Sequence, residues 1–258
     1  MNDFAGKTAL ITGAGRGIGR AVALGLADTG AELILVARSV GQLAQTQAIL
    51  LGRGASAGQI RVVPAELGDE QQRGHVIAAA LATGRVDILV NNAATVEPLG
   101  PTAVIPVAEL RRTFELNVIA PAALTAAVLP DMLETGWGRI VNVSSAIVAR
   151  PDFMVRFNAY AATKAALEAH TVNLAAELRG TGVTVNAYRP GRVDTAMQAW
   201  IRQQDPERIG TAAHEQFNQN FAEGTLMTPG QSAAGLIAHL DGDDTGAIWD
   251  VSTAPVRP

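Results

Sequence analysis

Residues 8–19 read Thr8-Ala9-Leu10-Ile11-Thr12-Gly13-Ala14-Gly15-Arg16-Gly17-Ile18-Gly19, and the next stretch, Arg20–Asp28, carries a helical pattern. A short apolar strand therefore runs through a glycine-spaced turn into a helix. Glycines allow a sharp turn and close approach to a phosphate group. The unpaired N–H groups and positive dipole end of a helix N-terminus supply an anion site. The spacing is TGxxxGxG rather than GxGxxG, and no Gly-Lys-Ser/Thr follows, which excludes a P-loop. A glycine turn of this kind can also serve close helix–sheet packing alone.

Outward from this turn, apolar runs alternate with helix-length amphipathic stretches. Strands are expected at Thr8–Thr12, Glu32–Ala37, Ile60–Val63, Val86–Val90, Arg139–Val143, Val183–Ala187 and Ala247–Val251. The continuous apolarity of TALIT, LILVA, VDILV and RIVNV suits parallel strands covered on both sides. The fold class is α/β: a single-domain, Rossmann-type, doubly wound seven-stranded parallel sheet with helices on both faces. Gly30, Gly84, Gly136 and Gly180 mark helix stops, and Thr228-Pro229 marks a late helix start. No repeat or linker divides residues 1–258. The segment Arg192–Met227 breaks the alternation and reads as a lid insertion over the strand ends.

Composition narrows the function classes. With 48% hydrophobic and 17% charged residues, the 258-residue chain can bury a large core. It has no cysteine, which removes disulfides and thiolate chemistry. His75, His170, His214 and His239 show no paired-ligand spacing, so no metal site is expected. A net charge of -4 without a basic run argues against nucleic acid. No run approaches the roughly 18 uninterrupted apolar residues of a membrane span, nor does the N-terminus read as a secretory signal. No membrane partner and a cytoplasmic location are expected.

Further along lie Asn91-Asn92-Ala93-Ala94 after the fourth strand, Asn117 in a helix, and Ser144-Ser145 after the fifth strand. Tyr160-Ala161-Ala162-Thr163-Lys164 and Asn186-Ala187-Tyr188-Arg189-Pro190-Gly191 follow. Together with the glycine turn, these resemble in type and order the motifs of the short-chain dehydrogenase/reductase family. The resemblance implies an oxidoreductase moving a hydride between a nicotinamide dinucleotide and a carbonyl or secondary alcohol. It implies Ser145, Tyr160, Lys164 and Asn117 as the catalytic group. The cofactor contacts it implies are Gly13, Arg16, Gly17, Ile18 and Gly19 in the turn, then Arg38, Glu66, Asn92 and Ala93, and finally Tyr160, Lys164, Pro190, Gly191, Val193 and Thr195.

These residue types suit the chemistry. Hydride addition to a ketone places negative charge on oxygen, which calls for a proton donor and directed hydrogen bonds. Tyr160 can give the proton. A free tyrosine has a pKa of about 10, and a nearby cation lowers it by about one to three units. Lys164, four residues on along a helix Asn158–Arg179, is placed to be that cation and to bind ribose hydroxyls. Ser145 is expected to hydrogen-bond the substrate oxygen, with Ser144 as the alternative. By resemblance, Asn117 would hold a water linking Lys164 to solvent. A helix-surface tyrosine–lysine pair remains the simpler reading of YxxxK taken alone.

NADP is the cofactor expected. Val36-Ala37-Arg38-Ser39 has no acid where NAD-specific relatives place one, and Arg38 and Arg16 could instead pair with a 2′-phosphate unless both are merely solvated. Glu66 stands where the family usually has an aspartate beside the adenine. The lid brings Met197, Trp200, Ile201, Phe217, Phe221, Leu226 and Met227, and the loop before Tyr160 adds Phe153, Met154 and Phe157. These residues line an apolar pocket or simply dock the lid. Asp194-Thr195-Ala196-Met197-Gln198 resembles the sepiapterin and benzil reductase branch, which implies ketone or dicarbonyl reduction. A 3-oxoacyl thioester reductase, a polyol dehydrogenase and a non-catalytic NADPH sensor stay open. A homodimer or homotetramer is expected through Pro121–Glu134 and Asn158–Arg179. Asn142-Val143-Ser144-Ser145-Ala146 lacks the glycines of a hydrolase elbow.

Overall fold

The computed structural model describes residues 3–82 and 84–251, so the tail Ser252–Pro258 lies outside the described residues. Seven parallel strands form one sheet in the order β3-β2-β1-β4-β5-β6-β7. They are β1 (Thr8–Thr12), β2 (Glu32–Ala37), β3 (Ile60–Pro64), β4 (Ile88–Asn91), β5 (Gly138–Val143), β6 (Val183–Arg189) and β7 (Ile248–Asp250). The chain lays β2 and β3 on one side of β1, then crosses back to set β4 on the other, with Ile11 opposite both Leu35 and Val90. That reversal opens a crevice at the carboxyl ends of β1 and β4, the usual ligand position in such sheets.

Successive strand residues point to opposite faces, and both faces are covered, which is why the runs are apolar throughout. Ala9 and Ile11 join Leu33 and Leu35 under α1 (Gly17–Ala27) and α10 (Pro229–His239), where Val22, Leu26 and Leu236 pack. Leu10, Ile34 and Leu89 face the other way, with Leu124 and Val128 of α5 (Ala120–Thr135) and Leu174 of α6 (Asn158–Glu177). Each fully buried Leu or Val contributes about 1.5–3 kcal/mol. The remaining helices beside the sheet are α2 (Val40–Gly52), α3 (Glu70–Leu81) and α4 (Val107–Phe114).

Several boundaries move from their expected positions. Helix α1 begins at Gly17, inside the glycine motif, so its first N–H groups lie at the turn itself. Strand β6 extends to Arg189, and β4 starts at Ile88, just after Asp87, whose carboxylate accepts from the Thr8 N–H. Gly136, at φ 65°, is the left-handed cap that ends α5, and Gly30, Gly84 and Gly180 also have positive φ. The helix start expected at Thr228-Pro229 is present, and Gln231 completes a capping box with Thr228. A π-helical segment, Glu115–Ile119, joins α4 to α5 and makes Val107–Thr135 one continuous helix. By length and mean hydropathy alone that helix could cross a membrane, yet Leu124, Val128 and Met132 spend its apolar side on the sheet.

The expected insertion folds as α7 (Ala196–Arg202), α8 (Pro206–Ile209) and α9 (Thr211–Ala222). Its base is clamped where Val193 pairs with Met227: the Met227 N–H donates to Arg192 O at 2.8 Å, and the Asp194 N–H to Met227 O at 2.9 Å. A third apolar cluster joins this lid to the domain through Val96, Ile147, Phe157, Ile201 and Ile209.

Candidate active site

A cleft of about 810 Å³ runs from the glycine turn to the lid, within the ~300–1,000 Å³ range of small-molecule sites. At its first end, Gly13 and Gly17 adopt φ of +67° and +54°. Gly19 is needed for a different reason. A Cβ there would stand 2.3 Å from Gly13 O and 2.5 Å from Asn92 Nδ2. Asn92 holds this packing by donating from Nδ2 to Thr12 O at 2.8 Å, and the Thr12 hydroxyl accepts from the Asn92 and Ala93 N–H groups, both at 2.9 Å.

The loop carbonyls are tied outward. The Thr46 hydroxyl of α2 donates to Ala14 O at 3.0 Å, while Arg20 donates to Thr46 Oγ1 at 3.0 Å and to Gly15 O. Helix α1 has no side-chain cap at Arg16 and no acid in its first turn. Its leading N–H groups, which have no intrahelical partner, are therefore free for an anion. Gly13, Arg16, Gly17, Ile18, Asn92 and Ala93 all line the cleft, whereas Gly19 acts from behind it.

Arg38 and Glu66 stand at the same end and face each other, with Nη1 and Oε2 3.2 Å apart. Arg38 is thus already partnered by a carboxylate, which the sequence reading did not foresee. Both side chains are exposed, and such pairs contribute about 0–1 kcal/mol, so the guanidinium is released at little cost.

At the other end, Tyr160 and Lys164 lie one turn apart on α6, both buried, and both line the cleft with Ser145. The Ser145 side chain faces the Tyr160 phenol closely enough to favour its ionised form. Ser145 Oγ also accepts from the Ile147 N–H at 3.3 Å, capping the short turn Ala146–Val148. Its neighbour Ser144 is committed elsewhere: its hydroxyl donates to Glu168 Oε1 at 2.6 Å inside the domain. The geometry therefore turns Ser145, not Ser144, to the tyrosine.

Burial pushes the Tyr160 phenol above its usual pKa, opposed by the Ser145 side chain. The net shift is therefore upward, against the lowering expected from a neighbouring cation; the lysine ammonium lies 5.7 Å from the Tyr160 ring centre and donates to Val143 O at 2.6 Å. Burial in turn lowers Lys164 to about 8, and Glu168 opposes that shift.

Asn117 departs most from expectation. It sits in the π-helical segment, and its side chain is occupied: Oδ1 accepts from the Thr95 N–H at 2.9 Å, while Nδ2 donates to Thr95 O at 2.8 Å and to Thr163 Oγ1 at 3.1 Å. The side chain thus ties the strand-β4 loop to α6 and has no donor left for a water. Asn117 does not line the cleft.

Pro190, Gly191, Val193 and Thr195 complete the wall between the two ends. Pro190 O is fixed by the Ser232 hydroxyl at 2.9 Å, and Thr195 Oγ1 caps α7. Of the apolar lid candidates, Met197, Trp200, Ile201 and Phe217 line the cleft, as do Phe153 and Met154. Four others do not. Phe157 is buried against Phe217, ring centres 6.0 Å apart; Phe221 is exposed beneath the Arg202 guanidinium; Met227 belongs to the clamp, and Leu226 also lies outside the lining.

The sequence profile of the short chain dehydrogenases matches residues 7–206. The chain belongs to the short-chain dehydrogenase/reductase family. It is an oxidoreductase. Among relatives of this short-chain dehydrogenase, the ketoacyl reductase HetN of Nostoc sp. is 36% identical over 213 residues, spanning 81% of this chain and 72% of that one. Dehydrogenase/reductase SDR family member 4 of Bos taurus is 32% identical over 248 residues, spanning 96% and 85%. The NADP-bound 3-oxoacyl (acyl-carrier-protein) reductase of Agrobacterium tumefaciens superposes with a TM-score of 0.83 at 29% identity, covering 96% of this chain and 93% of that one. An actinorhodin polyketide ketoreductase with NADPH gives 0.84 at 30% identity, covering 95% of each.

Sequence reading missed the side chains that brace this dehydrogenase's site. Thr46, Arg20, Glu168 and Arg189 carry no motif spacing, and their partners are distant in sequence. Thr12 was within reach, since it begins the glycine motif itself.

Proposed function

We propose that the chain is an NADP-dependent carbonyl reductase, with Tyr160 as its proton donor. The observation that carries the reading is that Tyr160, with Ser145 and Lys164 beside it, opens into the same cleft as the glycine turn. The residues present fit the dinucleotide. Gly13 and Gly19 leave no room for a side chain, the α1 N–H groups suit its pyrophosphate, and Arg16 and Arg38 suit a 2′-phosphate where no acid competes for a ribose hydroxyl. NADP-bound relatives support the same choice.

Bound there, the reduced nicotinamide supplies the hydride that attacks the carbonyl carbon. Ser145 hydrogen-bonds the carbonyl oxygen as negative charge develops on it. Tyr160 transfers its phenolic proton to that oxygen, completing the alcohol. Its raised pKa keeps it protonated and suited to reduction. The Lys164 ammonium offsets the phenolate left behind and stands ready for ribose hydroxyls. Asn117 keeps the Thr95 loop against Thr163, fixing the helix that bears the tyrosine.

On the substrate side, Met197, Trp200, Phe217, Phe153 and Met154 favour an apolar ketone or dicarbonyl over a polyol. A 3-oxoacyl thioester is the second reading, favoured by the ketoacyl and 3-oxoacyl reductases among the relatives. NADPH oxidation against aromatic ketones, vicinal diketones and 3-oxoacyl thioesters separates these. NADPH binding without turnover on any of them would mean a sensor. Assembly as a homo-oligomer belongs to the same proposal, through the outer faces of α5 and α6, where Leu133 and Val172 are exposed. Arg38→Ala should weaken NADPH binding about tenfold, the size of one charge-assisted contact, and leave NADH binding unchanged. Equal losses for the two would remove the 2′-phosphate assignment.

A further inference from the structure

Glu168 is a buried carboxylate that the proposed reaction does not use. It lies one turn beyond Lys164 on α6. Its Oε1 accepts from the Ser144 hydroxyl at 2.6 Å and from Arg189 Nε at 2.9 Å, and its Oε2 accepts from Arg189 Nη2 at 2.8 Å. Each partner flanks a segment of the site: Ser144 precedes Ser145, and Arg189 precedes Pro190-Gly191. The Ser144 N–H also donates to Tyr188 O at 2.7 Å, so Ser144, Tyr188, Arg189 and Glu168 form a closed ring of bonds. A two-pronged guanidinium–carboxylate pair fixes orientation as well as distance.

Lys164 on α6 and Arg189 on β6 are cations, and Glu168 is the carboxylate between them. Asp250 on β7 acts on Arg189 from its far side, and Tyr160 adds a neutral phenol on α6. An ammonium buried as Lys164 is needs a counter-charge to stay protonated. Glu168, four residues along the same helix and hydrogen-bonded to Ser144 and Arg189, is the carboxylate that acts on it.

We propose that Glu168 is a positioning residue, which holds the Ser145 and Pro190-Gly191 segments in register and serves as the counter-charge of Lys164. This rests on the carbonyl-reductase reading for its effect on turnover, but its electrostatic part can be measured without turnover. A purely structural brace would leave the lysine's titration unchanged.

The sequence offers a direct probe, since Lys7 and Lys164 are its only lysines. The full chain labelled with 13C at lysine Cε gives two side-chain signals. Lys7, paired with Asp87 at 3.3 Å and 4.0 Å above the Trp137 ring, is identified by its loss in Lys7→Arg. In the wild type the Lys164 signal should titrate near pH 8. In Glu168→Gln its midpoint should fall by about one unit or more. In Arg189→Gln, which leaves the carboxylate to the lysine alone, it should rise. Turnover of Glu168→Gln at pH 8 should drop by up to about tenfold, following the protonated fraction of Lys164. Glu177→Gln, exposed on the same helix, should change neither. An unchanged Lys164 midpoint in Glu168→Gln overturns the proposal. If that variant fails to fold, an unchanged or lowered midpoint in Arg189→Gln overturns it instead. A wild type that oxidises no NADPH with any carbonyl would sink the functional reading alone, and the titration would still decide the role of Glu168.

Discussion

At the glycine end of the cleft, the wall is backbone held by side chains: Thr12, Thr46 and Arg20 fix carbonyls and N–H groups at the ends of strands that are themselves buried on both faces. At the lid end, the walls are side chains of α7 and α9, whose positions follow from packing against Ile147 and Phe157 and from the clamp at Met227. In the first region a single atom added to the chain has nowhere to go. The second can absorb a change by repacking. A dinucleotide site built on backbone is therefore specified tightly, whereas a substrate site built on apolar side chains is tuned by exchange of those side chains.

The largest contrast should come from Gly19→Ala set beside a change in the lid. The new Cβ would meet Gly13 O at 2.3 Å, and overpacking of about 1–3 kcal/mol should weaken NADPH binding roughly tenfold to a hundredfold, as read by fluorescence titration. Retained affinity would mean that the turn yields more easily than this account holds.

Beside the lid end lies the proposed catalytic corner, where stability is given up for function. Lys164 is lowered from 10.5 to about 8 by burial. Below pH 8 the folded chain therefore carries a buried charge at a cost of about 3 kcal/mol, and that cost disappears as pH rises from 8 to 10.5. Lys164→Met should melt higher than the wild type at pH 7, by about 2 kcal/mol once the lost Val143 hydrogen bond is counted, and the gap should close towards pH 10. A gap that does not vary with pH would show that the amine is not desolvated.

The smallest effect is expected in the lid. Trp200→Ala should alter KM for aromatic ketones by about tenfold, the scale of one trimmed apolar contact, while NADPH affinity stays unchanged. A loss of NADPH affinity of the same size would show that the two regions are not separable.

The same division explains what could be read from the sequence. Residues 8–19 revealed the strand, turn and helix because glycine spacing reports backbone conformation directly. Tyr160 and Lys164 were legible because four residues are one helical turn. For Phe157 and Phe221 pocket lining and docking stayed open because apolar side chains at helical spacing look alike whether they face a ligand, a neighbouring ring or solvent. Ser145 was preferred to Ser144 by resemblance alone, since what separates two adjacent serines physically is Glu168, 24 positions from Ser144. Asn117 was recognised, but its bonds to Thr95 and Thr163 belong to tertiary structure, and the π-helical turn that presents it has no pattern in the sequence.

The central claim is hydride transfer from a reduced nicotinamide to a carbonyl carbon, with Tyr160 protonating the oxygen. It is tested most directly by incubating wild type and Tyr160→Phe with NADPH dideuterated at C4 of its nicotinamide and the best carbonyl substrate of the panel. For the wild type, the account predicts an alcohol carrying one deuterium on its carbinol carbon. For the variant it predicts binding of the same cofactor and label transfer slower by about 10²–10⁴-fold. Alcohol formed without deuterium, or labelled alcohol formed equally fast without the tyrosine hydroxyl, would contradict it.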